Sequence, residues 1–323
     1  MKNVKKKNTK KLADILKNLS NDIIIAGHKN ADYDSMCSSL ALAYGLKKIN
    51  KNVKAFIEPE SINKISYFDL NDLLCQKITS KDFTFIAIDL NRTSRLPDSI
   101  EEYYNNANYR INIDHHNGNI TNAEFILSDY SASSTCEIIY DIIKKLDLNC
   151  DKKISELIFT GIISDTNLFS NAASSKTFSI VSKLLKNDVD GEFLIKKFYL
   201  EKTKNEMDII SYINNNLIVS NFHYVVLDMK KPLFNLVSYS DISKKCIPAI
   251  LSREDIDVMI VIMDFGNKKK GEIRSKNKLD ASKLAELLTG GGHTHAAGFS
   301  NRKTIEEIIK IAKEYIDGDN GGK

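Results

Sequence analysis

The sequence lacks the cysteine patterns that would indicate a protein held together by disulfides or by structural zinc. Five cysteines are scattered through the 323 residues, and no two of them form a C-x-x-C pair. An odd and scattered set argues against a disulfide framework and is typical of a reducing compartment. We therefore expect a cytoplasmic protein. The five are Cys37, Cys75, Cys136, Cys150 and Cys246.

Long apolar segments and a strong net charge are missing as well. The longest apolar run, residues 258–263, is far shorter than the ~20 residues that span a bilayer. The basic residues 1–7 are not followed by the apolar run of a signal peptide. Lys and Arg number 46 against 42 Asp and Glu, and the net charge of +4 neither requires nor excludes a nucleic-acid partner. We expect no membrane partner.

The most informative stretch is Asp114, His115 and His116, three consecutive residues that can bind metals or protons. They follow residues 109–113, whose alternation and β-branched side chains predict a short strand. The triplet then lies at the carboxyl end of a strand, where open α/β sheets collect their ligands. Taken alone, it is better explained by a capped turn with two solvated histidines, so its interpretation depends on the rest of the chain.

A second group of such residues follows another predicted strand. Residues 22–27 are short and continuously apolar, which is typical of a buried parallel strand. His28, Asp32 and Asp34 lie in the loop between it and a predicted helix. Asp34 or Ser35 could simply cap that helix, but capping needs one such residue, not a histidine and two aspartates.

Two further aspartates end predicted elements. Residues 83–88 predict a buried strand that ends at Asp89. Asp165 lies near the end of a helix predicted over residues 154–163. A carboxylate at a helix C-terminus opposes the macrodipole. Asp165 is therefore more plausible as a ligand than as a stabilising residue.

These segments bring six candidate metal ligands to one edge of a sheet. Imidazole and carboxylate donors together suit a divalent transition metal such as Mn²⁺, with Mg²⁺ or Co²⁺ as substitutes. Six ligands suit two ions about 3.5–4 Å apart that share a carboxylate and activate a hydroxide, as in many phosphoesterases. A nucleophile elbow and a P-loop are both absent, so those mechanisms have no candidate residues. The six are His28, Asp32, Asp34, Asp89 as the bridge, His115 and Asp165.

The second half of the chain carries a glycine triplet, residues 290–292, followed by His293. Successive glycines let backbone N–H groups bind an anion, especially beside a helix start, although such a stretch is also typical of a flexible turn. Arg274 and Ser275 upstream favour the binding interpretation. The patterns predict an α/β domain over residues 1–190 with a parallel sheet and helices on both faces, a helical connection over about 191–216, and a smaller α/β domain with a mixed sheet over 217–323.

In this combination the sequence resembles the DHH phosphoesterases that also carry a DHHA1 domain, especially the branch of bacterial nanoRNases that double as phosphatases of 3′-phosphoadenosine 5′-phosphate (pAp). The resemblance covers nearly the whole chain. It rests on His28-x-x-x-Asp32-x-Asp34, Asp89, Asp114-His115-His116 and Gly161-Ile-Ile-Ser-Asp165-Thr166 for the DHH domain, and on Arg274-Ser275 and Gly290-Gly-Gly-His293-x-x-Ala-Ala-Gly298 for the DHHA1 domain.

The resemblance implies a role for each of these residues. One Mn²⁺ would be bound by His28, Asp32 and Asp89, and a second by Asp34, Asp89, His115 and Asp165. Asp89 and His116 would be catalytic, with His116 on the scissile phosphate, while Asp114 orients a ligand histidine. Arg274, Ser275, Gly291, Gly292 and His293 would hold the nucleotide from across a cleft between the domains. One departure is Tyr33, where small residues are common, and it puts substrate choice in doubt.

The expected activity is therefore the Mn²⁺-dependent hydrolysis of very short oligoribonucleotides to mononucleotides, and of pAp. The alternative is a phosphodiesterase of cyclic di-adenylate or its linear product pApA. An inorganic pyrophosphatase would share the metal half, but residues 290–293 argue against it. A nucleotide-binding regulator without turnover belongs to a different class. The expected partners are these nucleotides, and a homodimer is considered as well.

Overall fold

The structure is a computed structural model that describes residues 2–116, 118, 122–276 and 279–320, without the side chains of residues 2–7, 240, 293, 319 and 320. The chain divides into two compact units, Met1–Glu201 and Lys202–Lys323. The connection predicted over residues 191–216 stays a prediction.

A parallel sheet forms the centre of the first unit. Its strands are β1 (Asp22–Ala26), β2 (Val53–Phe56), β3 (Leu74–Cys75), β4 (Phe83–Ile88), β5 (Tyr109–Asp114) and β6 (Phe125–Ser128), in the order β3-β2-β1-β4-β5-β6. All neighbouring strands are parallel. The chain order reverses between β1 and β4. Open α/β sheets bind ligands outside the strand carboxyl ends at such a switch point.

Helices cover both faces of this sheet. They are α1 (Lys2–Asn18), α2 (Tyr33–Lys48), α3 (Glu101–Asn106), α4 (Thr135–Lys145), α5 (Lys152–Asp165), α6 (Ser175–Leu184) and α7 (Gly191–Ile195), which continues as a π-helical segment, Lys196–Leu200; short 3₁₀ turns span Pro59–Phe68, Asn71–Leu73 and Thr93–Arg95. Ile23 and Ile25 pack into the core formed with α2, α4 and α5. Ile24 and Phe85 pack against Tyr104 of α3 on the other face. The predicted α/β fold is confirmed.

The second unit contains a mixed sheet, as predicted. Its strands are β7 (Ile218–Val219), β8 (His223–Asp228), β9 (Val258–Asp264), β10 (Lys269–Ser275), β11 (Gly290–His293) and β12 (Ala296–Asn301), in the order β11-β12-β10-β9-β8-β7. Among these described strands, β8 and β9 form the parallel pair and the other neighbours are antiparallel. The helices are α8 (Lys204–Asn215), α9 (Tyr239–Asp241) with a π-helical continuation at Ile242–Cys246, α10 (Ile247–Leu251), α11 (Ala281–Leu287) and α12 (Ile305–Asn320). Pro232–Asn235 forms a 3₁₀ turn.

The helices of the second unit also enclose two cores, one on each face of its sheet. Ile260 and Ile273 pack with Leu284 of α11 and Ile308 of α12. On the other face, Met259 and Val261 pack with residues of α8 and α10. In the described part of the chain, no helix has both the length and the apolarity needed to cross a membrane.

Candidate metal centre

The six predicted ligands come together at the carboxyl edge of the first sheet. Together with His116 they form overlapping groups of three, in each of which the candidate ligand atoms lie within 4.8 Å of one another. Asp89 and His115 each belong to two of the groups. The groups are His28 with Asp32 and Asp89, Asp34 with His115 and Asp165, and Asp89 with His115 and His116.

His28 follows β1 and is oriented as a metal-binding histidine would be. Its Nδ1 lies 2.9 Å from the carbonyl oxygen of Lys29, to which it can only donate. The other ring nitrogen, Nε2, is the one that faces the carboxylates, and it lies 3.5 Å from Oδ2 of Asp89 and 3.9 Å from Oδ2 of Asp32. A hydrogen bond from the outer nitrogen to a carbonyl is what usually fixes the tautomer of a metal ligand.

Asp32, not Asp34 or Ser35, caps α2. Its Oδ1 accepts a hydrogen bond from the Ser35 backbone N–H at 3.1 Å. Its Oδ2 is the atom that faces His28. Capping and metal binding therefore use different oxygens of one carboxylate, and the two interpretations of this segment do not exclude each other.

Asp34 is fully buried and anchored by the start of α4. Its two oxygens accept the backbone N–H groups of Thr135 and Cys136 at 2.7 and 2.9 Å. Burial, with the charges of Asp89 and Asp165, raises the pKa of Asp34, while His115 opposes the shift. Nearby Gly161 gives Asp34 its space, because a Cβ there would lie 2.9 Å from Oδ1 of Asp34.

Asp89 lies between the two groups with one oxygen toward each. Oδ2 faces His28, whereas Oδ1 lies 3.6 Å from Nε2 of His115 and 3.5 Å from Nδ1 of His116. Although burial alone would raise its pKa, the hydrogen bond from His28 and the charges of the three histidines hold the pKa of Asp89 below its usual range. A carboxylate with its two oxygens divided in this way has the geometry of a bridging ligand.

His115 joins Asp89 to Asp165. Its Nε2 lies 3.3 Å from Oδ2 of Asp165, and its Nδ1 lies 3.4 Å from the Ala132 carbonyl oxygen. Burial lowers the pKa of His115, but Asp165, Asp89 and Asp34 outweigh it and raise the pKa to about 9. Four carboxylates enclosed with two imidazoles need cations to balance their charge. The set of nitrogen and oxygen donors therefore fits divalent transition metals.

Asp114 orients His116 rather than the ligand His115. The fully buried Asp114 accepts hydrogen bonds at Oδ1 from Nδ1 of His116 at 2.8 Å and from its backbone N–H at 3.1 Å. This contact holds the ring of the residue that the sequence assigns to the phosphate.

Thr135 supports the site and was not identified from the sequence. Ser134 caps α4, and its side chain accepts a hydrogen bond from the Glu137 backbone N–H. Thr135, one residue later, is fully buried and donates from Oγ1 to Oδ1 of Asp89 at 2.9 Å. The signal was the surplus of hydroxyl residues beyond the one that capping needs.

We expect Thr135→Val to lower kcat/KM by about 10- to 100-fold, the usual effect of losing a hydrogen bond to a metal ligand. Valine has nearly the same shape but cannot donate to Asp89, so packing is retained while the carboxylate loses a restraint. Steady-state kinetics with Mn²⁺ measure the effect. Thr135→Ser keeps the hydroxyl and is the matched control, and equal activities of the two variants would contradict this role.

The glycine triplet of the second unit is not a turn or a helix start. Gly290–His293 forms the edge strand β11, in which Gly291 pairs with Gly298 and His293 with Ala296. The triplet therefore does not stand at a helix start, and its role in binding an anion stays a prediction. At Gly290 a Cβ would lie 2.0 Å from the Gly298 carbonyl oxygen, so close strand packing requires glycine there. The side chain of His293 lies outside the described residues.

The other predicted substrate contacts also lie in the second unit. Arg274 on β10 has Nη1 2.8 Å from Oε2 of Glu272. Ser275 is buried, and its hydroxyl donates to the Leu279 carbonyl at 2.7 Å, which stabilises the stretch before α11 and occupies the donor that a substrate contact would need. The roles of Arg274, Ser275, Gly291 and Gly292 toward a substrate stay predictions.

Comparison with known families agrees with the fold and this cluster. Residues 22–162 match the DHH family, N-terminal domain, and residues 235–318 match the DHHA1 domain. The chain therefore belongs to the DHH family, with a DHH domain followed by a DHHA1 domain.

The curated relatives in this family have names that give different activities. The chain is 27% identical over 305 residues to a probable bifunctional oligoribonuclease and PAP phosphatase, NrnA, of Streptococcus mutans, covering 90% of this chain and 93% of that protein. It is 23% identical over 337 residues to the cyclic-di-AMP phosphodiesterase GdpP of Bacillus subtilis, covering 93% and 48%. It is 24% identical over 340 residues to a membrane protein-large ribosomal subunit bL9 fusion protein of Aster yellows witches'-broom phytoplasma, covering 97% of this chain but spanning only 39% of that protein.

Solved structures share the fold at low sequence identity. An exopolyphosphatase-related protein from Bacteroides fragilis superimposes with a TM-score of 0.77 at 22% identity, covering 97% of this chain and 96% of that one. RecJ from Thermus thermophilus, solved in complex with Mn²⁺, gives a TM-score of 0.59 at 15% identity, covering 96% and 55%. These likenesses concern the fold.

Proposed function

We propose that the chain is a Mn²⁺-dependent phosphoesterase that hydrolyses very short oligoribonucleotides to mononucleotides and removes a phosphate from pAp. The observation that carries the proposal is the division of the Asp89 carboxylate between two ligand groups, with Oδ2 toward His28 and Oδ1 toward His115. The named activity of the NrnA relative, aligned over most of both chains, favours this substrate class.

The proposed ligand sets follow the two groups. His28, Asp32 and Asp89 would hold one ion, and Asp34, Asp89, His115 and Asp165 the other. Two such ions lower the pKa of the water they bind and neutralise charge on phosphate oxygens. The mixed donor set supports manganese, as does the Mn²⁺ bound by the structurally similar RecJ. Mg²⁺ or Co²⁺ would be the substitutes.

The chain's own side chains then orient the substrate. His116, held at Nδ1 by Asp114, would donate from Nε2 to the scissile phosphate and stabilise the negative charge that develops on it. Arg274 would bind a further phosphate of the nucleotide through its guanidinium. Ser275, Gly291, Gly292 and His293 are retained as predicted neighbours of the substrate.

The alternative function is hydrolysis of cyclic di-adenylate or pApA. It is supported by the similarity to GdpP, which extends over 93% of this chain. Both substrates contain adenosine phosphodiesters, so the same metal centre and the same arginine would serve either reaction.

Product analysis on four substrates in parallel distinguishes these functions. We expect that with Mn²⁺ the protein releases mononucleotides from a 5′-labelled trinucleotide and phosphate from pAp, and that EDTA abolishes both activities. Rapid cleavage of cyclic di-adenylate or pApA with an intact trinucleotide would favour the alternative. Binding of pAp by the metal-loaded protein without cleavage of any substrate would indicate a regulator.

We also propose that the protein functions in the cytoplasm. All five cysteines are free, and four of them are buried, as expected of a protein kept in a reducing environment. A homodimer stays a prediction.

A further inference from the structure

Arg274 lies in a buried polar network of the second unit. Its Nη1 is 2.8 Å from Oε2 of Glu272, two residues earlier on β10. The other oxygen of Glu272, Oε1, accepts a hydrogen bond from the hydroxyl of Tyr239 in α9. Nη2 of Arg274 donates to Oγ of Ser243 at 3.0 Å, in the π-helical segment that follows α9. A strand and a helix are thus joined through one guanidinium group.

The network uses the guanidinium unevenly. Nη1 also lies 3.1 Å from the Ile273 carbonyl oxygen and 3.5 Å from that of Ala297, so three acceptors share its two protons. Nη2 gives one proton to Ser243. The contacts with described residues therefore leave two N–H groups of Arg274 available to a ligand, the Nε–H and the second Nη2–H. Guanidinium N–H groups of this kind bind phosphate oxygens.

Glu272, the acid at the centre of the network, orients its neighbours more than it stabilises the fold. Glu272 is only 6% exposed, and a buried ion pair gives little net stability relative to apolar side chains. Burial, followed by the charge of Glu272 and its hydrogen bond, raises the pKa of Tyr239, so the phenol keeps the proton that it donates. Both oxygens of Glu272 therefore have fixed partners.

Small residues leave room beside Arg274 within the second unit. In the antiparallel register Arg274 lies opposite Ala296, and Glu272 lies opposite Gly298. Gly298 in turn lies opposite Gly291 on the edge strand β11. Directly opposed residues share a face of the sheet, and a Cβ at Gly291 would meet nothing within 4 Å.

We propose that Glu272 and Tyr239 are positioning residues, which fix Arg274 so that its Nε–H and remaining Nη2–H are directed toward a phosphate group of the nucleotide substrate. This inference rests on the proposed function and deepens it, because it names what orients the substrate-binding arginine. Without the Glu272 carboxylate, the guanidinium could turn between its neutral acceptors, and ordering it would reduce the affinity for the phosphate.

Kinetics of Glu272→Gln and Tyr239→Phe test the proposal. Both changes preserve side-chain size, and Tyr239→Phe leaves every charge in place, so it covers the case in which Glu272→Gln fails to fold. We expect KM for pAp with Mn²⁺ to rise about tenfold, equivalent to one lost hydrogen bond to a charged group, with kcat changed by less than about twofold. Asp264→Asn is the matched control, because it removes a carboxylate at the end of β9 that pairs with Lys269 at 2.9 Å, at the start of the strand that carries Glu272 and Arg274.

A double-mutant cycle separates positioning from general destabilisation. If Glu272 acts through Arg274, then Glu272→Gln should cause no further rise in KM once Arg274→Ala is present. A rise by the same factor in both backgrounds would overturn the proposal. So would an unchanged KM in both Glu272→Gln and Tyr239→Phe.

The same experiment distinguishes failure of this inference from failure of the proposed function. Normal wild-type turnover with no effect of either substitution would overturn the inference and leave the function standing. Lack of wild-type turnover on every nucleotide would overturn the proposed function. The inference would then be tested by the Kd of pAp, measured by calorimetry, which should rise by the same factor as was expected for KM. Lack of pAp binding by the wild type as well would overturn both.

Discussion

Replacing Asp89 with asparagine is expected to lower kcat/KM by at least about 1000-fold, roughly 4 kcal/mol of transition-state stabilisation, and to reduce the bound metal at both positions together. The reason is that one oxygen of Asp89 faces each ligand group, so a neutral amide would weaken the binding of both ions at once. Asparagine is preferable to alanine because Asp89 has a φ of 58°, a left-handed conformation that asparagine tolerates. Steady-state kinetics and metal analysis of the dialysed protein measure the two effects.

Asp98→Asn is the control for this substitution. Asp98 lies in the same unit, but its side chain is 91% exposed and its partner is Lys29 at 3.4 Å. We expect unchanged activity and metal content in this variant, because screened surface pairs contribute little. Two fully occupied metal positions in Asp89→Asn would contradict the bridging role.

Replacing His116 with alanine is expected to lower kcat by about 100- to 1000-fold, as the loss of one charge-stabilising donor usually does, while both metal ions are retained. Nδ1 of His116 lies nearer to Oδ1 of Asp114, at 2.8 Å, than to Oδ1 of Asp89, at 3.5 Å, and the ring would act on the phosphate only as charge develops. Kinetics and metal analysis of the same sample distinguish this result from that of Asp89→Asn.

Asp114→Asn should produce a smaller loss of the same kind, because the neutral amide oxygen can still accept from Nδ1 of His116 but forms a weaker hydrogen bond than a carboxylate. His223→Ala is the histidine control, since His223 belongs to the second unit and lies 3.9 Å from Asp255. Loss of one metal ion in His116→Ala would show that His116 is a ligand, as its group with Asp89 and His115 allows.

The sequence was sufficient to place the candidate ligands at one edge of the sheet, because their positions follow from local patterns. Residues 83–88 are mostly apolar and residues 109–113 alternate, and these patterns identify β4 and β5. Asp89 directly follows β4, and Asp114 is the last residue of β5. Parallel strands bring their carboxyl ends to one edge whatever their order. The candidate ligands could therefore be named before the strand order was known.

The supporting contacts could not be predicted, because they join residues that are distant in the chain. Asp34 accepts from Thr135, 101 residues later, and Thr135 donates to Asp89 across 46 residues. No local pattern encodes such pairs. The strand β11 was missed for a different reason: three glycines have neither side-chain alternation nor strand propensity, and only pairing with β12 makes them a strand.

The most direct test is a crystal structure with Mn²⁺ and anomalous diffraction data collected at the manganese edge. We expect two anomalous peaks about 3.5–4 Å apart, one within ligand distance of His28, Asp32 and Asp89 and the other within ligand distance of Asp34, Asp89, His115 and Asp165. A single peak, or two peaks that do not share Asp89, would contradict the account.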